Sequence, residues 1–451
     1  MNKDRGIAGL VARTGKMVNI KDAYKDPRFN KEVDLQTGFI TRSILCMPIM
    51  GRNGVLGVVQ LVNKQNAPCF TTTDEVLFKT FSMYCALALH FSELQEQMKK
   101  FDSRNAIKTE MLTFHMHPCA HDMEYVMKSP DIEELPEGFE TFSWYIFGSE
   151  SVAPQLCLYM FRKLAGDAFI NFKTSIEFIL TIRKAYHPNP YHNFEHAFNV
   201  LHCMYNILLR NRGTFTLIEE TALLIASLAH CADHPGLTNS FLKFIDHSIT
   251  KLYNDSPMVH HSFQLTMFII NSIKLFSHFS PETFKELSQE IRTAILATDL
   301  RLYFKCRAEI LNILSREEFD YMNVAHRILL KRLMMTTSDI SGRCKPFNVA
   351  KRITENVYKE YCRQGDLEKS LGQIPSPKKD RDQQFLIPQN EIKFLSEVCL
   401  PCMELLVTLL HNCEDLARQS RELRDQWKEV IDLKDVKVWK PDDSIVYPNY
   451  K

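Results

Sequence analysis

The sequence lacks the features that mark membrane, secreted and nucleic-acid-binding proteins. No uninterrupted apolar run reaches the roughly 18 to 20 residues that a membrane-spanning helix needs. The N-terminal stretch MNKDRGIAG contains no apolar signal region. The 55 basic and 54 acidic residues give a formal net charge of +1, which does not point to nucleic acid or an anionic membrane as a general partner. We therefore expect a cytoplasmic protein.

A repeating cysteine spacing is also missing. The 13 cysteines are an odd number and follow no repeating spacing. Together with the missing signal region, this pattern is typical of reduced thiols in the cytosol. Cys399 and Cys402 form a single CxxC in an apolar helical stretch, without the second pair that such a zinc site uses. We expect these two side chains to pack in the core.

The N-terminal fifth of the chain has an α/β pattern. A length of 451 residues predicts two to three domains, and the 45% hydrophobic content predicts a sizeable core. Within residues 1–92, three segments rich in β-branched residues are bounded by turn residues, which is typical of strands. The predicted strands are Met17–Ile20, Ser43–Ile49 and Val55–Val62. Gly51–Gly54 separates the last two and predicts a hairpin connection.

The remainder of the chain has a helical pattern. No proline or glycine interrupts the sequence from Asp74 to about Arg104, and acidic residues at its start favour a helix N-terminus there. We assign residues 93–129 to a helical linker, 130–434 to a helical domain and 435–451 to a polar tail. Inside the helical domain, the charged segment Gln364–Gln384 predicts a surface loop.

Four side chains that can bind a metal ion lie beside or within helical segments. His192 and His196 are four residues apart, and on a helix this spacing puts both rings on one face. His230 follows the apolar run Leu223–Ala229, and Asp339 ends another apolar run. A single buried histidine is more often a core residue than a ligand. Several imidazole and carboxylate groups delivered by apolar helices, however, suit zinc and similar divalent ions, so the sequence predicts a buried metal site.

Three segments resemble a known family. YHNFEHAFNV (residues 191–200), ILATDL (295–300) and MMTTSDI (334–340) are similar, in content, order and spacing, to the signature segments of class I 3′,5′-cyclic-nucleotide phosphodiesterases. Residues 6–92 resemble the end of a GAF domain of that family through Asn63-Lys64, Phe70 and Asp74-Glu75. The resemblance implies a mainly α fold, in which an all-helical HD-type catalytic domain follows a partial α/β GAF domain and a linker helix. Asp299 would hold either the fold or the second coordination shell.

The resemblance implies a two-metal centre, usually zinc and magnesium, and a histidine that protonates the departing 3′ oxygen. That acid would be His192, and the first metal would be bound by His196, His230 and Asp339. The aspartate that the family shares between both metals is Cys231 here. A thiolate binds zinc well but is a poor ligand for magnesium. We therefore expect zinc at the first site and a weakened or absent magnesium or manganese ion at the second.

Further departures surround the second metal. His234 keeps the place of a histidine near that metal's water shell, but the arginine that follows it in the family is Pro235. A glutamate and a histidine of the family are replaced by Val259 and Ser262. These groups normally order water around the second metal.

The predicted nucleotide pocket also departs from the family pattern. The purine-binding glutamine aligns with Glu391, and an ionised glutamate can only accept hydrogen bonds. Phe394 and Val357 would form the two sides of the clamp around the base, and Tyr191 is also assigned to substrate binding. Arg343 replaces a usually apolar residue beside the base. Because an unpaired buried charge is costly, we expect Arg343 and Glu391 to form an ion pair.

Three functions remain open from the sequence. The first is an impaired phosphodiesterase that hydrolyses cyclic AMP or cyclic GMP, and the second is an inactive pseudoenzyme that serves as a dimerisation or regulatory scaffold. The third is a zinc-dependent hydrolase of altered substrate range. The GAF region begins part-way through the domain, so it is either a nucleotide sensor or a truncated structural remnant. The family also implies a homodimer.

Overall fold

The structure, a computed structural model, describes residues 6–51, 54–115, 118–128, 132, 134–148, 152–166, 171–253, 255–316 and 319–432. The chain divides into two compact units, Met1–Asp102 and Ser103–Lys451. The predicted tail at 435–451 lies outside the described residues. Among the described residues, no helix is both long and apolar enough to cross a membrane.

The first unit is built on an antiparallel sheet with the strand order β1-β2-β3. Its elements are α1 (Gly6–Thr14), β1 (Val18–Ile20), α2 (Glu32–Thr37), β2 (Ile44–Gly51), β3 (Gly54–Val62) and the start of α3 (Thr72–His115). All three predicted strands are present, with ends that differ by one or two residues from the prediction. The predicted helix from Asp74 begins at Thr72 and continues to His115.

Strand β2 is buried on both faces, because successive side chains point to opposite sides of a sheet. Ile44 and Cys46 pack in one cluster with residues of α1. Leu45 and Met47 pack in another cluster with Phe78 of α3. The side chain of Ser82 donates a hydrogen bond of 2.7 Å to the carbonyl of Pro48, again on β2. Helix α3 is therefore held to the sheet by the face that carries Phe78 and Ser82.

The GAF-like residues of this unit have structural partners. The amide of Asn63 accepts from the backbone of Arg42 at 2.5 Å and donates to the carbonyl of Ile40 at 2.7 Å. Asp74 accepts from the ammonium of Lys64 at 2.5 Å and from the backbone of Thr71 at 2.6 Å. Glu75 accepts from Asn19 at 2.7 Å, and Phe70 is buried. These contacts correspond to packing and capping roles.

The described residues of the second unit form helices joined by turns and loops, with no strand among them. Its α-helices are α4 (Ala120–Lys128), α5 (Ala153–Ala165), α6 (Phe172–Lys184), α7 (Phe194–Arg210), α8 (Leu217–Ala229), α9 (Asn239–Phe244), α10 (Ser248–Leu252), α11 (Pro257–Ser272), α12 (Pro281–Leu296), α13 (Leu300–Leu314), α14 (Val324–Asp339), α15 (Phe347–Ser370), α16 (Ile387–Phe394), α17 (Leu400–Leu409) and α18 (Glu414–Asp432). The predicted mainly α fold is confirmed.

Helix α8 lies at the centre of this unit. Every residue from Glu219 to Ala229 is buried, and α8 packs against α5, α7, α12 and α14. Its N-terminus carries a capping box, in which the side chains of Thr216 and Glu219 each bind the other's backbone N–H. A helix surrounded by other helices presents its C-terminal end inside the domain. This is the end that carries His230.

One prediction for this unit was wrong and two others are resolved. The segment from Gln364 does not begin as a surface loop, because α15 continues to Ser370 and Gln364 is buried, where its side chain accepts from the backbone of Thr238 at 2.8 Å. Cys399 and Cys402 are buried, and the core-packing prediction is confirmed. Asp299 caps the N-terminus of α13 and therefore holds the fold.

Candidate functional site

His192 and His196 lie on either side of a helix start. Asn193 has an extended backbone and caps α7 by accepting from the backbone of His196 at 3.0 Å, so the helix begins only at Phe194. The prediction that His192 and His196 share one helical face was therefore wrong. The turn nevertheless brings the two rings together, with their centroids 5.9 Å apart and their planes nearly perpendicular.

Three of the predicted metal ligands converge. His196 follows the start of α7, His230 caps the C-terminus of α8, and Asp339 is the last residue of α14. The Nε2 atoms of His196 and His230 are 3.2 Å apart, and Oδ1 of Asp339 lies 3.2 and 3.3 Å from them respectively. Bonds of about 2.0–2.1 Å in a tetrahedral zinc site separate neighbouring ligand atoms by about 3.3 Å. The three donors therefore fit one zinc ion.

The ring of His230 is oriented for this role. Its Nδ1 lies 2.9 Å from the carbonyl of Ser227, one turn earlier in α8, and only a protonated nitrogen can make this hydrogen bond. The tautomer with the proton on Nδ1 leaves Nε2 free as a ligand. A backbone acceptor inside a buried helix thus fixes which nitrogen faces the converging donors.

Cys231 lies beside two of these donors. Its Sγ and the ligand atoms of His196 and His230 all lie within 4.8 Å of one another, and all three residues are buried. Burial raises the pKa of the Cys231 thiol, but the adjacent His230 and His196 outweigh burial and lower that pKa to about 5. A thiolate and two imidazoles are donors that suit zinc.

Val259 and Ser262 stand at two positions predicted to order water around the second metal, while His192, His234 and Glu360 form a further group of potential ligands among the described residues. Val259 is half-buried and apolar, and Ser262 uses its hydroxyl to donate to the carbonyl of Ala232 at 2.9 Å. Asp233 accepts from Nε2 of His187 at 2.7 Å and from Nε2 of His261 at 2.6 Å. These contacts engage both carboxylate oxygens of Asp233 with histidines.

His234 contacts the predicted acid. Its ring stacks on the ring of His192 at a centroid distance of 4.0 Å and an angle of 23°. Its Nδ1 accepts a hydrogen bond of 3.1 Å from the backbone of Gly236. His234 therefore restrains the plane of the His192 ring, which is a contact that the sequence did not predict.

Sequence reasoning missed Glu360, the carboxylate that holds His192. This residue of α15 is buried, and its Oε1 lies 2.5 Å from Nδ1 of His192. Its Oε2 accepts from the backbone N–H groups of Tyr191 and His192 at 3.2 and 3.0 Å. The sequence did contain one indication of this role. Glu360 lies three residues after Val357 and four before Gln364, which is the spacing of one helical face, and that face of α15 is buried.

The His192–Glu360 contact favours the charged imidazolium. Burial lowers the pKa of His192, but the charge of Glu360 and its hydrogen bond outweigh burial and raise that pKa to about 9. The folded-state pKa lies above the ordinary value of about 6.5. The charged His192 therefore stabilises the fold fully below about pH 6.5, and this contribution is lost as the pH rises through about 9.

The predicted ion pair between Arg343 and Glu391 is confirmed by the geometry. Nε of Arg343 donates to Oε2 of Glu391 at 3.1 Å, and Nη2 donates to Oε1 at 3.3 Å. The hydroxyl of Thr354 also donates to Oε2 at 3.1 Å. The guanidinium carbon lies 5.6 Å from the centre of the Phe394 ring. Both charged side chains are buried, so this is a paired and hydrogen-bonded charge inside the domain.

The other predicted pocket residues lie in two apolar clusters. Val357 packs with Tyr358 and Ile387, and Tyr191 lies against that cluster. Phe394 packs against the main core of the unit. The ring of Tyr191 is also 4.5 Å from the ring of His196, so it links the Val357 cluster to one of the predicted metal ligands.

Comparison with known proteins gives these residues a family context. Residues 191–420, a little over half of the chain, match the family described as 3′5′-cyclic nucleotide phosphodiesterase. This chain belongs to the cyclic-nucleotide phosphodiesterase family. Residues 1–89 match the GAF domain. The predicted resemblance to GAF-containing phosphodiesterases is thereby confirmed, and the family is metal-dependent.

Three relatives of this phosphodiesterase-family chain illustrate its similarity. It is 34% identical over 433 residues to the probable 3′,5′-cyclic phosphodiesterase pde-5 of Caenorhabditis elegans, which covers 95% of this chain and 59% of the relative. It is 32% identical over 442 residues to the dual 3′,5′-cyclic-AMP and -GMP phosphodiesterase 11 of Drosophila melanogaster, and this match covers 96% of this chain and 30% of the relative. It is 31% identical over 438 residues to phosphodiesterase 11A of Takifugu rubripes, a dual enzyme by name, covering 95% and 48%. The chain thus spans 30% to 59% of the length of these relatives.

Proposed function

We propose that this chain is a one-metal cyclic-nucleotide phosphodiesterase of reduced rate, which hydrolyses cyclic AMP or cyclic GMP to the 5′-monophosphate. The observation that carries the proposal is the convergence of His196, His230 and Asp339 at 3.2 to 3.3 Å, with Cys231 beside them. The names of two relatives, dual phosphodiesterases for cyclic AMP and cyclic GMP, support the substrate class.

His192 would protonate the departing 3′ oxygen. A zinc ion bound by His196, His230 and Asp339 would polarise the phosphoryl group and lower the pKa of bound water. Glu360 binds Nδ1 of His192, so Nε2 is the atom left to deliver the proton. Glu360 also keeps the imidazole charged before delivery, and the stacked ring of His234 restrains its plane. Both residues position the acid and do not themselves react.

The reduced rate follows from the residues on the second-metal side. Cys231 offers soft sulfur where magnesium and manganese prefer oxygen donors. Val259 offers no ligand atom, and Ser262 is bonded to a backbone carbonyl. Loss of one outer-shell partner typically costs about 10- to 100-fold in metal affinity or activity. Two such losses, together with the replaced ligand at Cys231, favour a centre with a single ion.

Hydrolysis of cyclic AMP and cyclic GMP by the purified chain tests this proposal. With zinc present, and with magnesium or manganese added in parallel, we expect turnover below about 1 s⁻¹, the lower end of typical enzyme values. A chelator should abolish it, and zinc alone should restore it. Turnover at ordinary rates would contradict the reduced centre. If no metal supports turnover, the proposed enzymatic activity is contradicted and the second candidate function described below is favoured.

A cytoplasmic location is also part of the proposal. All 13 cysteines are free, and ten of them are buried. Free thiols in this number are typical of proteins kept in a reducing compartment.

A second candidate function, a dimerisation scaffold, is favoured by one face of α3. Its residues alternate at spacings of three and four, which is the a/d pattern of a coiled coil. We call this face the α3 seam; it consists of Leu77, Thr80, Tyr84, Leu87, Phe91, Leu94, Met98 and Phe101. The six seam residues from Tyr84 to Phe101 are all apolar or aromatic, and each is between 40% and 67% exposed. Such a continuous exposed apolar face marks an interaction site.

A second copy of this chain is the partner that the α3 seam fits. Phe78 and Ser82, which bind α3 to its own sheet, lie on another face of the helix. Between residues 77 and 101, the seam and its flanking positions carry no lysine, arginine, aspartate or glutamate, so self-pairing brings no like charges together. The charged side chains of this stretch occupy the outer positions and are Lys79, Glu93, Glu96, Lys99 and Lys100. We therefore propose a homodimer through the α3 seam.

Replacing Leu87 and Phe91 with glutamate is expected to convert this dimer to a monomer. Buried seam positions do not tolerate unpaired carboxylates, whereas an outer position does. The measurement is molar mass by light scattering during size-exclusion chromatography, and the expected change is a twofold loss of mass. Lys99→Glu, on the outer face, is the matched control and should remain dimeric. A monomeric unaltered chain at micromolar concentration, or a dimeric Leu87→Glu/Phe91→Glu variant, would contradict the seam.

A further inference from the structure

The Arg343–Glu391 pair lies where the sequence predicts the nucleotide base. Arg343 belongs to the short turn Ser341–Cys344, which follows Asp339, the last of the converging donors. Glu391 lies on α16 at the position of the family's purine-binding glutamine, three residues before Phe394. Their side chains are only 6% and 5% exposed. The charged atoms are therefore shielded from solvent.

The guanidinium makes the two kinds of contact by which a pocket holds a base. It is planar and carries N–H donors along its edge, and two of them bind the two oxygens of Glu391 side by side. Its carbon lies 5.6 Å from the centre of the Phe394 ring, within the range of a cation–π contact. A purine would use the same two partners through an edge hydrogen bond and ring stacking.

Glu391 has little capacity for another partner. Its carboxylate offers about four acceptor positions. Arg343 occupies two of them, and the hydroxyl of Thr354 occupies a third at 3.1 Å. A purine that displaced Arg343 would leave a buried cation without its partner, which is strongly unfavourable. The pair thus competes directly with a base.

We propose that Arg343 occupies the place of the nucleotide base, so that this site binds the ribose and phosphate of its ligand without a contribution from the base. The inference rests on the proposed function, because it takes the phosphate end of the site from the converging donors at His196, His230 and Asp339. It adds that Arg343 and Glu391 determine specificity by removing discrimination between adenine and guanine. The ligand class is therefore ribose phosphates in general.

A comparison of AMP, GMP and ribose 5-phosphate measures how much the base contributes to binding, because ribose 5-phosphate lacks a base. None of the three is a cyclic phosphate, so the site cannot hydrolyse them during the measurement. We expect the zinc-loaded unaltered chain to bind all three with dissociation constants within about threefold of one another by titration calorimetry. In the variant Arg343→Leu/Glu391→Gln, AMP or GMP should bind about 10- to 100-fold more tightly than ribose 5-phosphate, which is the range expected of base stacking on an aromatic ring. Ribose 5-phosphate itself should bind both proteins equally.

Thr354→Val is the matched control, because it removes one hydrogen bond from Glu391 and leaves the guanidinium in place. Its affinity for AMP and GMP, relative to ribose 5-phosphate, should not rise. The unaltered chain decides the matter even if a variant fails to fold. Tighter binding of either nucleotide than of ribose 5-phosphate by tenfold or more in that chain would overturn the inference and leave the proposed function standing. Failure of all three ligands to bind would overturn both.

Discussion

The single change Arg343→Leu is expected to lower the free energy of unfolding by about 3–5 kcal/mol, which is typical when one partner of a buried ion pair is removed. It leaves the carboxylate of Glu391 buried, and among the described residues the hydroxyl of Thr354 is then its only side-chain donor. The double change Arg343→Leu/Glu391→Gln should recover most of this loss, because the remaining amide is neutral and can still accept from Thr354. The measurement is equilibrium unfolding in urea for the single and double variants.

An exposed pair provides the control for this prediction. Arg418 and Glu422 form a 3.0 Å contact one turn apart on α18, with more than half of each side chain exposed. Arg418→Leu should cost less than about 1 kcal/mol, since exposed pairs contribute little. A loss of less than 1 kcal/mol for Arg343→Leu as well would mean that the Arg343–Glu391 contact is not a strong buried ion pair.

The second large effect concerns Cys231. Cys231→Asp is expected to raise the rate of cyclic-nucleotide hydrolysis about 10- to 100-fold in the presence of zinc with magnesium or manganese. A carboxylate supplies the oxygen donor that these ions prefer, and it can bridge two of them. The gain should stay well below full restoration, because Val259 and Ser262 still offer no water-ordering carboxylate or imidazole. Initial rates on cyclic AMP and cyclic GMP measure the effect.

Cys231→Ser distinguishes the effect of gaining a carboxylate from the effect of losing the thiol. The serine variant loses the thiolate without gaining an oxyanion, so it should bind zinc more weakly and hydrolyse no faster than the unaltered chain. A rise in rate for Cys231→Ser equal to that for Cys231→Asp would contradict a role for the second ion. An aspartate variant that is no faster than the unaltered chain would also contradict it.

The convergence of the proposed metal donors could be expected from the sequence because each lies beside a locally recognisable helix end. His230 follows the apolar run of α8, and Asp339 ends α14. The same local reasoning was wrong for His192, because Asn193 caps α7 and moves the helix start past it. A capping residue between two histidines therefore decides where the helix begins, even when the spacing of the histidines fits one helical face.

Contacts between distant parts of the chain were harder to predict. Glu360 binds His192 across 168 residues of sequence, and nothing near either residue indicates the other. Arg343 and Glu391 were predictable despite their separation of 48 residues, because two opposite charges replaced uncharged residues of the family in one pocket. The helical start of the segment from Gln364 was missed because its charged composition hides the buried face that contains Gln364.

The metal content of the purified full chain tests the one-metal centre most directly. The chain is exposed to zinc and magnesium, the excess ions are removed, and both metals are quantified by inductively coupled plasma mass spectrometry. The convergence of His196, His230 and Asp339, together with Cys231 in place of an oxygen donor and the loss of ligand groups at Val259 and Ser262, predicts one zinc ion per chain and no retained magnesium. Two bound metal ions per chain, or no zinc at all, would contradict it.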